Sequence, residues 1–94
     1  MIRNFKGKFA RAIFQERRTP KGFPSDLGTV ARRKLVQLDA AADLSDLLVP
    51  PGNRLEALKG DLRGYHSIRI NDQWRVVFRW TEAGPDDVEI VDYH

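Results

Sequence analysis

The 94-residue chain carries a net charge of +3 at neutral pH and contains no cysteine. This length allows one domain that buries only about 60–65% of the surface its unfolded form exposes, and the lack of cysteine excludes disulfides and thiolate zinc sites. The opening residues 1–6 lack the apolar core of a signal peptide, and no stretch approaches the roughly 20 apolar residues of a membrane span. We therefore expect a cytoplasmic protein without membrane contact.

The first half of the sequence predicts one strand and two helices. A short strand is expected at residues 1–4, and apolar residues at helical spacing with Lys and Arg between them predict a helix over residues 6–18. Residues 19–24 must form a loop because each of their two prolines restricts the residue before it. A second helix, capped by Ser25 or the Asp that follows it, is expected to continue to about residue 42.

The second half of the sequence changes to the alternation typical of strands. Residues 43–52 predict a turn-rich connector, and an apolar–polar period of two then predicts strands over residues 64–70 and 74–80. A turn at residues 83–87 precedes a final strand that begins at Val88. The order β-α-α-β-β-β predicts an α+β domain with two N-terminal helices packed on one face of a small antiparallel (mixed) sheet.

The charge is distributed unevenly along the chain. Residues 1–40 contain ten Lys or Arg and three acidic residues, a charge of +7. Residues 41–94 contain six Lys or Arg and ten acidic residues, a charge of −4. This skew favours a basic surface for a polyanion. The alternative is a solvated helical face, which is the ordinary interpretation of Arg32, Arg33 and Lys34 beside the apolar stripe of the second helix.

The register of the central hairpin can be predicted from its side chains. A three-residue loop at residues 71–73 collects the bulky side chains on one face. The resulting pairs are Ile70 with Trp74, Ile68 with Val76, and His66 with Phe78. The same register places Arg69 opposite Arg75, and Tyr65 opposite Arg79, on the face turned away from the helices.

Arginines opposite one another, as Arg69 and Arg75 are predicted to be, cost a few tenths to about 1 kcal/mol. Phosphate binding would account for them, because guanidinium groups match phosphate oxygens, and Tyr65 could stack on a base. The alternative is that nearby acids such as Glu89 neutralise the arginines. His66 falls on the apolar face, where a histidine is more often a core residue than a catalytic one.

Several segments, in order and spacing, resemble one family along the whole chain. They are residues 2–6, 53–70, 73–78 and 91–94, which include Leu-Lys-Gly-Asp, Trp-Arg and a closing Asp-Tyr-His. The chain resembles the HigB or "killer protein" toxins within the wider RelE group. The resemblance implies a single RelE-like toxin domain over residues 1–94.

What the resemblance implies about function is specific. It implies the toxin of a type II toxin–antitoxin system, an endoribonuclease that uses no metal or other cofactor and cleaves mRNA on the translating ribosome. The implied partners are mRNA, the ribosome through its 16S rRNA, and a HigA-type helix-turn-helix antitoxin, with the toxin and an antitoxin dimer forming a heterotetramer. The alternatives are a catalytically inactive member that binds RNA or antitoxin and, with less support from the predicted sheet face, a DNA-binding repressor.

The family's functional positions fall on five residues of this sequence: Lys59, Arg75, Asp92, Tyr93 and His94. RNA or phosphate binding is expected at Arg63, Tyr65, Arg69 and Arg79. One departure is Glu56, where several relatives carry a histidine, and this carboxylate is a candidate substitute base.

Metal-free RNA cleavage needs a base for the 2′-hydroxyl, an acid for the leaving 5′-oxygen and charge stabilisation at the phosphate. His94 suits proton transfer because its ordinary pKa of about 6.5 lies near working pH, and Asp92 can orient an imidazole. Lys59 and Arg75 would stabilise the phosphate in the transition state, and Tyr93 would stack on a base or donate a hydrogen bond. These residue types leave open which group is the acid and which is the base.

Overall fold

The computed structural model describes residues 1–93. Its helices and strands are α1 (Phe9–Phe14), α2 (Gly28–Ala40), β1 (Glu56–Ala57), β2 (Tyr65–Arg69), β3 (Trp74–Thr81) and β4 (Gly84–Asp92). The strands form one antiparallel sheet in the order β1-β2-β3-β4, which confirms the α+β class. Within the described chain, no helix is long and apolar enough to cross a membrane.

The predicted pair of N-terminal helices is only partly confirmed. The main helix is α2, with 13 residues, whereas α1 has six instead of the 13 predicted. The chain leaves α1 early because Arg17 adopts a left-handed conformation with a φ of 54°, which an L-residue cannot continue as a right-handed helix. Residues 25–27 form a separate 3₁₀ turn before α2, and Ala41 is already extended after it.

The strand predicted at residues 1–4 is wrong. The N-terminal segment instead makes one isolated parallel bridge, between Phe5 and Val88, beside β4. Its backbone contacts include Arg3 N–H to the Pro85 carbonyl and Val88 N–H to the Asn4 carbonyl. A bulge in β4 interrupts the regular spacing that a longer ladder would need. The observed order is therefore α-α-β-β-β-β, with β1 as a strand that the sequence did not predict.

The register of the β2–β3 hairpin is confirmed at Ile68–Val76, at His66–Phe78 and at both polar pairs. Next to the loop, Ile70 N–H donates to the Trp74 carbonyl at 2.9 Å, as the third predicted pair requires. The side chain of Asn71 explains why the three-residue loop needs no glycine. Its Oδ1 accepts hydrogen bonds from the backbone N–H groups of Gln73 (2.9 Å) and Trp74 (2.8 Å). A polar side chain that bonds its own backbone two residues on is a turn-forming device.

The last strand begins at Gly84, four residues earlier than predicted, and it contains the bulge. Val77 pairs with Glu89 and Arg79 pairs with Asp86, so two residues of β4 lie opposite Phe78 alone. One of these two is Asp87, whose φ of 51° is left-handed. The predicted turn at residues 83–87 is therefore wrong: most of it is strand, and its irregularity is the bulge.

The core lies between α2 and one face of the sheet. Its fully buried members include Ala31, Leu35, Leu38, Ile68, Val76, Phe78 and Val88. At one end of this core Phe23 packs against Trp74 with ring centroids 4.9 Å apart, and Phe9 contacts both rings. These aromatic contacts hold the α1–α2 loop over the end of β3, since paired rings add to the burial energy.

The connector between α2 and β1 is fixed by Asn53, which is fully buried. Its Nδ2 donates to Gln37 Oε1 and to the Leu47 carbonyl, both at 3.1 Å, while its Oδ1 accepts from Lys34 Nζ. Burial, helped by nearby Arg33, lowers the pKa of the Lys34 amine. The network sets where the chain emerges to form β1.

Candidate active site

Arg75 lies at the centre of the candidate site, on the sheet face turned away from the helices. Its side chain reaches across β2, so that Nη1 donates to Glu56 Oε1 on β1 at 3.1 Å and Nη2 donates to the Arg54 carbonyl at 2.6 Å. Its guanidinium carbon lies 5.5 Å from the centre of the Tyr93 ring, within range of a cation–π contact. Although charged, Arg75 is only 7% exposed. One guanidinium thus joins the first strand to the end of the last.

A cavity of about 310 Å³ opens beside this arginine. It is lined by Glu56, Ala57, Leu58, Lys59, Leu62 and Tyr93. Lys59 lies two residues after β1 and directly precedes a 3₁₀ turn at Gly60–Leu62. Between them, Leu58 anchors the segment by donating its N–H to the Tyr65 carbonyl at 2.9 Å. Three of the predicted site residues, Glu56, Lys59 and Tyr93, therefore share one cavity, with Arg75 in contact with two of them.

The end of β4 lies close to the turn of the central hairpin. Asp92 pairs with Trp74, and its Oδ2 accepts from Gln73 Nε2 at 3.1 Å. The next residue, Tyr93, donates its backbone N–H to the Gln73 carbonyl at 2.6 Å. Pairing places Asp92 on the helix side, whereas the Tyr93 ring meets Arg75 on the opposite side. His94 lies outside the described residues.

Two of the predicted phosphate-binding arginines have acidic neighbours. Arg69 forms an ion pair with Asp72, and Arg79 forms one with Asp86 at 3.0 Å. Arg75 is likewise paired with Glu56. Acidic residues therefore neutralise these arginines, but they are not Glu89, the acid named from the sequence. RNA binding at Arg69 and Arg79 stays a prediction.

Tyr65 and Arg63 flank this arginine face. The Tyr65 hydroxyl donates to Asp87 Oδ2 at 2.8 Å, and this hydrogen bond, with desolvation and the Asp87 charge, raises the pKa of the Tyr65 phenol. Arg63 is exposed in the segment that follows the Lys59 turn. Their contacts with RNA also stay predictions.

His66 packs in the core-facing layer, as its register predicted. Its ring stacks on Phe78 with centroids 6.2 Å apart and planes inclined by 20°. Burial lowers the pKa of the His66 imidazole. Among residues 1–93, no group of three or more His, Cys, Asp or Glu side chains is arranged to hold a metal ion.

The sequence did not predict the contacts that hold the site together. The Arg54 carbonyl takes part because Arg54 itself has a left-handed φ of 46°, and the Glu56–Arg75 pair exists because β1 lies beside β2. A two-residue strand has no detectable period. The sequence offered one signal for these contacts: Glu56 lies three residues before Lys59, and a Gly-Asp turn follows.

The chain matches known proteins along nearly its whole length. The family model for the HigB-like toxin, described as the RelE-like toxin of the type II toxin–antitoxin system HigB, matches residues 3–94. The toxin HigB-1 of Vibrio cholerae is 42% identical over 83 residues, which cover 88% of this chain and 87% of that toxin. An endoribonuclease HigB of Proteus vulgaris is 31% identical over 98 aligned positions that cover all of both chains. An uncharacterised protein of Haemophilus influenzae is 32% identical over 77 residues, 82% of this chain and 76% of the relative.

The resemblance drawn from residues 53–70 and from the closing Asp-Tyr-His is thereby confirmed. An antitoxin partner follows from membership of a type II toxin–antitoxin family. The chain belongs to the HigB family of RelE-like toxins of type II toxin–antitoxin systems.

Proposed function

We propose that this chain is a metal-independent endoribonuclease that cleaves mRNA on the translating ribosome and so inhibits translation and growth. The observation that carries the proposal is the cavity beside β1, where Glu56, Lys59 and Tyr93 lie next to Arg75. A base and a cation at one opening are two of the groups that RNA cleavage requires, and the aromatic ring beside them can stack on a nucleobase. The name of the Proteus vulgaris relative supports the same class of activity.

The proposed reaction is an attack of the ribose 2′-hydroxyl on the adjacent phosphorus. A base takes the 2′-proton as the new P–O bond forms, and an acid gives a proton to the 5′-oxygen as the old P–O bond breaks. The products are a 2′,3′-cyclic phosphate and a free 5′-hydroxyl. We assign Glu56 as the base, because its side chain is about half exposed (49%) at the cavity, and His94 as the acid.

The cations have different roles in this proposal. Lys59 is exposed at the cavity, so its ammonium group can approach a non-bridging phosphate oxygen and stabilise the charge that develops there. Arg75 already donates hydrogen bonds to Glu56 and to the Arg54 carbonyl. It therefore positions the base and adds positive charge beside the cavity. The Tyr93 ring, 40% exposed, offers a face on which a base can stack.

The proposal extends to partners and place of action. We propose a HigA-type helix-turn-helix protein as the antitoxin, a heterotetramer of toxin with an antitoxin dimer, and contact with 16S rRNA in the cytoplasm. Family membership supports the antitoxin, and the +7 charge of residues 1–40 supports contact with a polyanion.

The direct test maps mRNA ends after brief induction of the chain without its antitoxin. Wild type and Lys21→Ala, which removes an exposed lysine outside the cavity, should both produce new ends and arrest growth. Lys59→Ala and His94→Ala should produce neither at equal protein levels. New ends and arrest from both of the latter variants would contradict the proposed site.

A second experiment separates the finer parts of the proposal. Purified protein is added to an mRNA with and without translating ribosomes, before and after the protein has been stripped of divalent ions. Cleavage only with ribosomes, unchanged by stripping the protein, is expected. Equal cleavage of free mRNA would remove the ribosome from the proposal, and loss of activity that added metal restores would remove metal independence.

A further inference from the structure

Three arginines line a second cavity, formed by the end of α1, the α1–α2 loop and the start of α2. The cavity measures about 150 Å³ and is lined by Ile13, Arg17, Arg18, Thr19, Gly28, Thr29 and Arg32. No acidic residue is among these seven, and none of them lines the cavity at β1. Its volume is several times the roughly 30 Å³ that one water molecule occupies, which leaves room for a tetrahedral oxyanion.

Arg32 supplies the clearest sign that this cavity binds an anion. Its Nε is buried and has no hydrogen-bond partner within residues 1–93. Arg32 lines the cavity, and no acidic side chain within residues 1–93 forms a salt bridge with it. A guanidinium presents its N–H groups as a planar fork that matches two oxygens of one phosphate.

The hydroxyl of Thr19 lies close to the start of α2. A Cβ at Gly28 would lie 2.3 Å from Thr19 Oγ1, so only glycine lets the hydroxyl sit against the first turn of the helix. The left-handed Arg17 turns the chain immediately before. Arg18 is partly engaged, since its Nε donates to Glu16 Oε1 at 2.7 Å, which leaves Arg17 and Arg32 as the main cations.

We propose that this cavity binds a phosphate group of the RNA backbone, as an RNA contact separate from the cleavage site. Arginine forks and a threonine hydroxyl suit a group whose oxygens accept hydrogen bonds in several directions. The site also lies within the half of the chain that carries the +7 charge, which the cavity at β1 does not use. Because its ligand is RNA, this inference rests on the proposed ribonuclease function.

The first arm of the test needs no RNA and uses inorganic phosphate. Phosphate should raise the thermal unfolding midpoint of wild type by about 2–5 °C over chloride at equal ionic strength, and it should not do so for Arg32→Gln. Arg33→Gln is the matched control, because Arg33 is the next residue, is exposed and does not line the cavity. No stabilisation of wild type, or equal stabilisation of both variants, would overturn the site.

The second arm measures RNA binding over a range of salt concentrations. The RNA is made uncleavable by removing the 2′-hydroxyl from the sugar on the 5′ side of each cleavable phosphate. Arg32→Gln should weaken binding about 3–10-fold. It should also lower the slope of log K against log salt by about 0.7, because the variant neutralises one phosphate fewer than wild type, whereas Arg33→Gln should change the slope less. If Arg32→Gln does not fold, the double variant Arg17→Gln/Arg18→Gln, which alters exposed side chains only, takes its place.

The two arms keep this inference distinct from the proposed function. If wild type cuts no RNA but phosphate protects it through Arg32, the ribonuclease proposal fails and the oxyanion site stands without its RNA ligand. If wild type cuts RNA but Arg32→Gln and Arg33→Gln bind it equally, the RNA contact is wrong. Loss of antitoxin binding in Arg32→Gln with RNA binding intact would assign the arginines to the antitoxin and overturn the inference.

Discussion

Arg75 Nη1 donates a hydrogen bond to Glu56 Oε1 at 3.1 Å, which connects β3 to β1 across the intervening strand. The same guanidinium holds the Arg54 carbonyl and lies over the Tyr93 ring. A buried arginine with these three contacts keeps the walls of the β1 cavity together. It therefore ties the placement of the proposed base to that of the stacking ring.

Replacement of Glu56 by glutamine should separate its placement from its chemistry. Glutamine retains an oxygen for Arg75 but accepts no proton, so cleavage should fall about 10²–10⁴-fold, the range of one general acid or base, with RNA affinity and unfolding free energy nearly unchanged. Single-turnover cleavage and denaturant unfolding would measure both. Glu89→Gln, which alters an acid on the same sheet face, should remain active. Full activity of Glu56→Gln would show that another group is the base.

Lys59 and Arg63 allow a comparison of transition-state and ground-state contacts. Lys59→Gln should lower kcat about 10²–10³-fold, as loss of one stabilising donor does, with little change in KM. Arg63, exposed and outside the cavity lining, should affect mainly KM, by a few-fold, when changed to Gln. Steady-state kinetics on ribosome-bound mRNA would measure the split. A large kcat effect at Arg63 with none at Lys59 would reverse the assignment.

Tyr65 is expected to contribute its ring rather than its hydroxyl to RNA binding. The hydroxyl is engaged with Asp87, which is also why the pKa of the phenol is raised. Tyr65→Phe should therefore cost about 0.5–1.5 kcal/mol of stability and leave RNA affinity unchanged. Tyr65→Ala should weaken RNA binding about 5–150-fold, the equivalent of the roughly 1–3 kcal/mol that one stacked base contributes. Binding titrations in which both variants behave alike would contradict a stacking role.

The parts of the fold that were predicted correctly are those fixed by local patterns. The β2–β3 register followed from placing Ile70 opposite Trp74, because a slip by one residue would have turned bulky side chains to the solvent. The early end of α1 at Phe14 and the bulge at Asp87 depend on left-handed residues that are not glycine. Arg17 carries no local sequence signal for this conformation, since the surrounding structure imposes it. Asp favours the left-handed region more than most residues, but this preference is too weak to place a bulge.

The candidate site was predicted as a set of residues but not as an arrangement. Lys59, Arg75 and Tyr93 were named from the family resemblance, and the structure places all three around β1. The Glu56–Arg75 pair could not be predicted, because it requires β1 to lie beside β2, and this placement depends on tertiary contacts of the connector. The arginine cavity at α2 was hidden for the same reason: Thr19 and Arg32 meet only when the loop folds back on the helix.

Asn53 should be the connector residue most sensitive to substitution. Asn53→Ala would leave the buried Leu47 carbonyl and the part-buried Gln37 and Lys34 side chains without their partner, and an unsatisfied buried group costs about 1–3 kcal/mol. We expect a loss of about 2–4 kcal/mol in the free energy of unfolding, measured by urea denaturation. Ser45→Ala, an exposed change in the same connector, should stay within about 0.5 kcal/mol. Similar values for the two would show that the network does not fix β1.

His66 should make the protein less stable as the pH falls from 7.5 to 5. Burial lowers the pKa of His66 in the folded state, while in the unfolded chain it titrates near 6.5. Between these two values the unfolded chain binds more protons, so the free energy of unfolding rises with pH. Well above pH 6.5 both states are neutral and His66 adds no further pH dependence.

The measurement is urea denaturation of wild type and His66→Gln at both pH values, with the histidine titration followed by NMR. The difference in unfolding free energy between the two pH values should shrink in His66→Gln, and the His66 resonance should titrate below 6.5. His94→Gln provides the matched control, because it removes the other histidine of the chain and should leave the His66 titration in place. A His66 resonance that titrates at or above 6.5 would mean that the ring against Phe78 is as well solvated as in the unfolded chain.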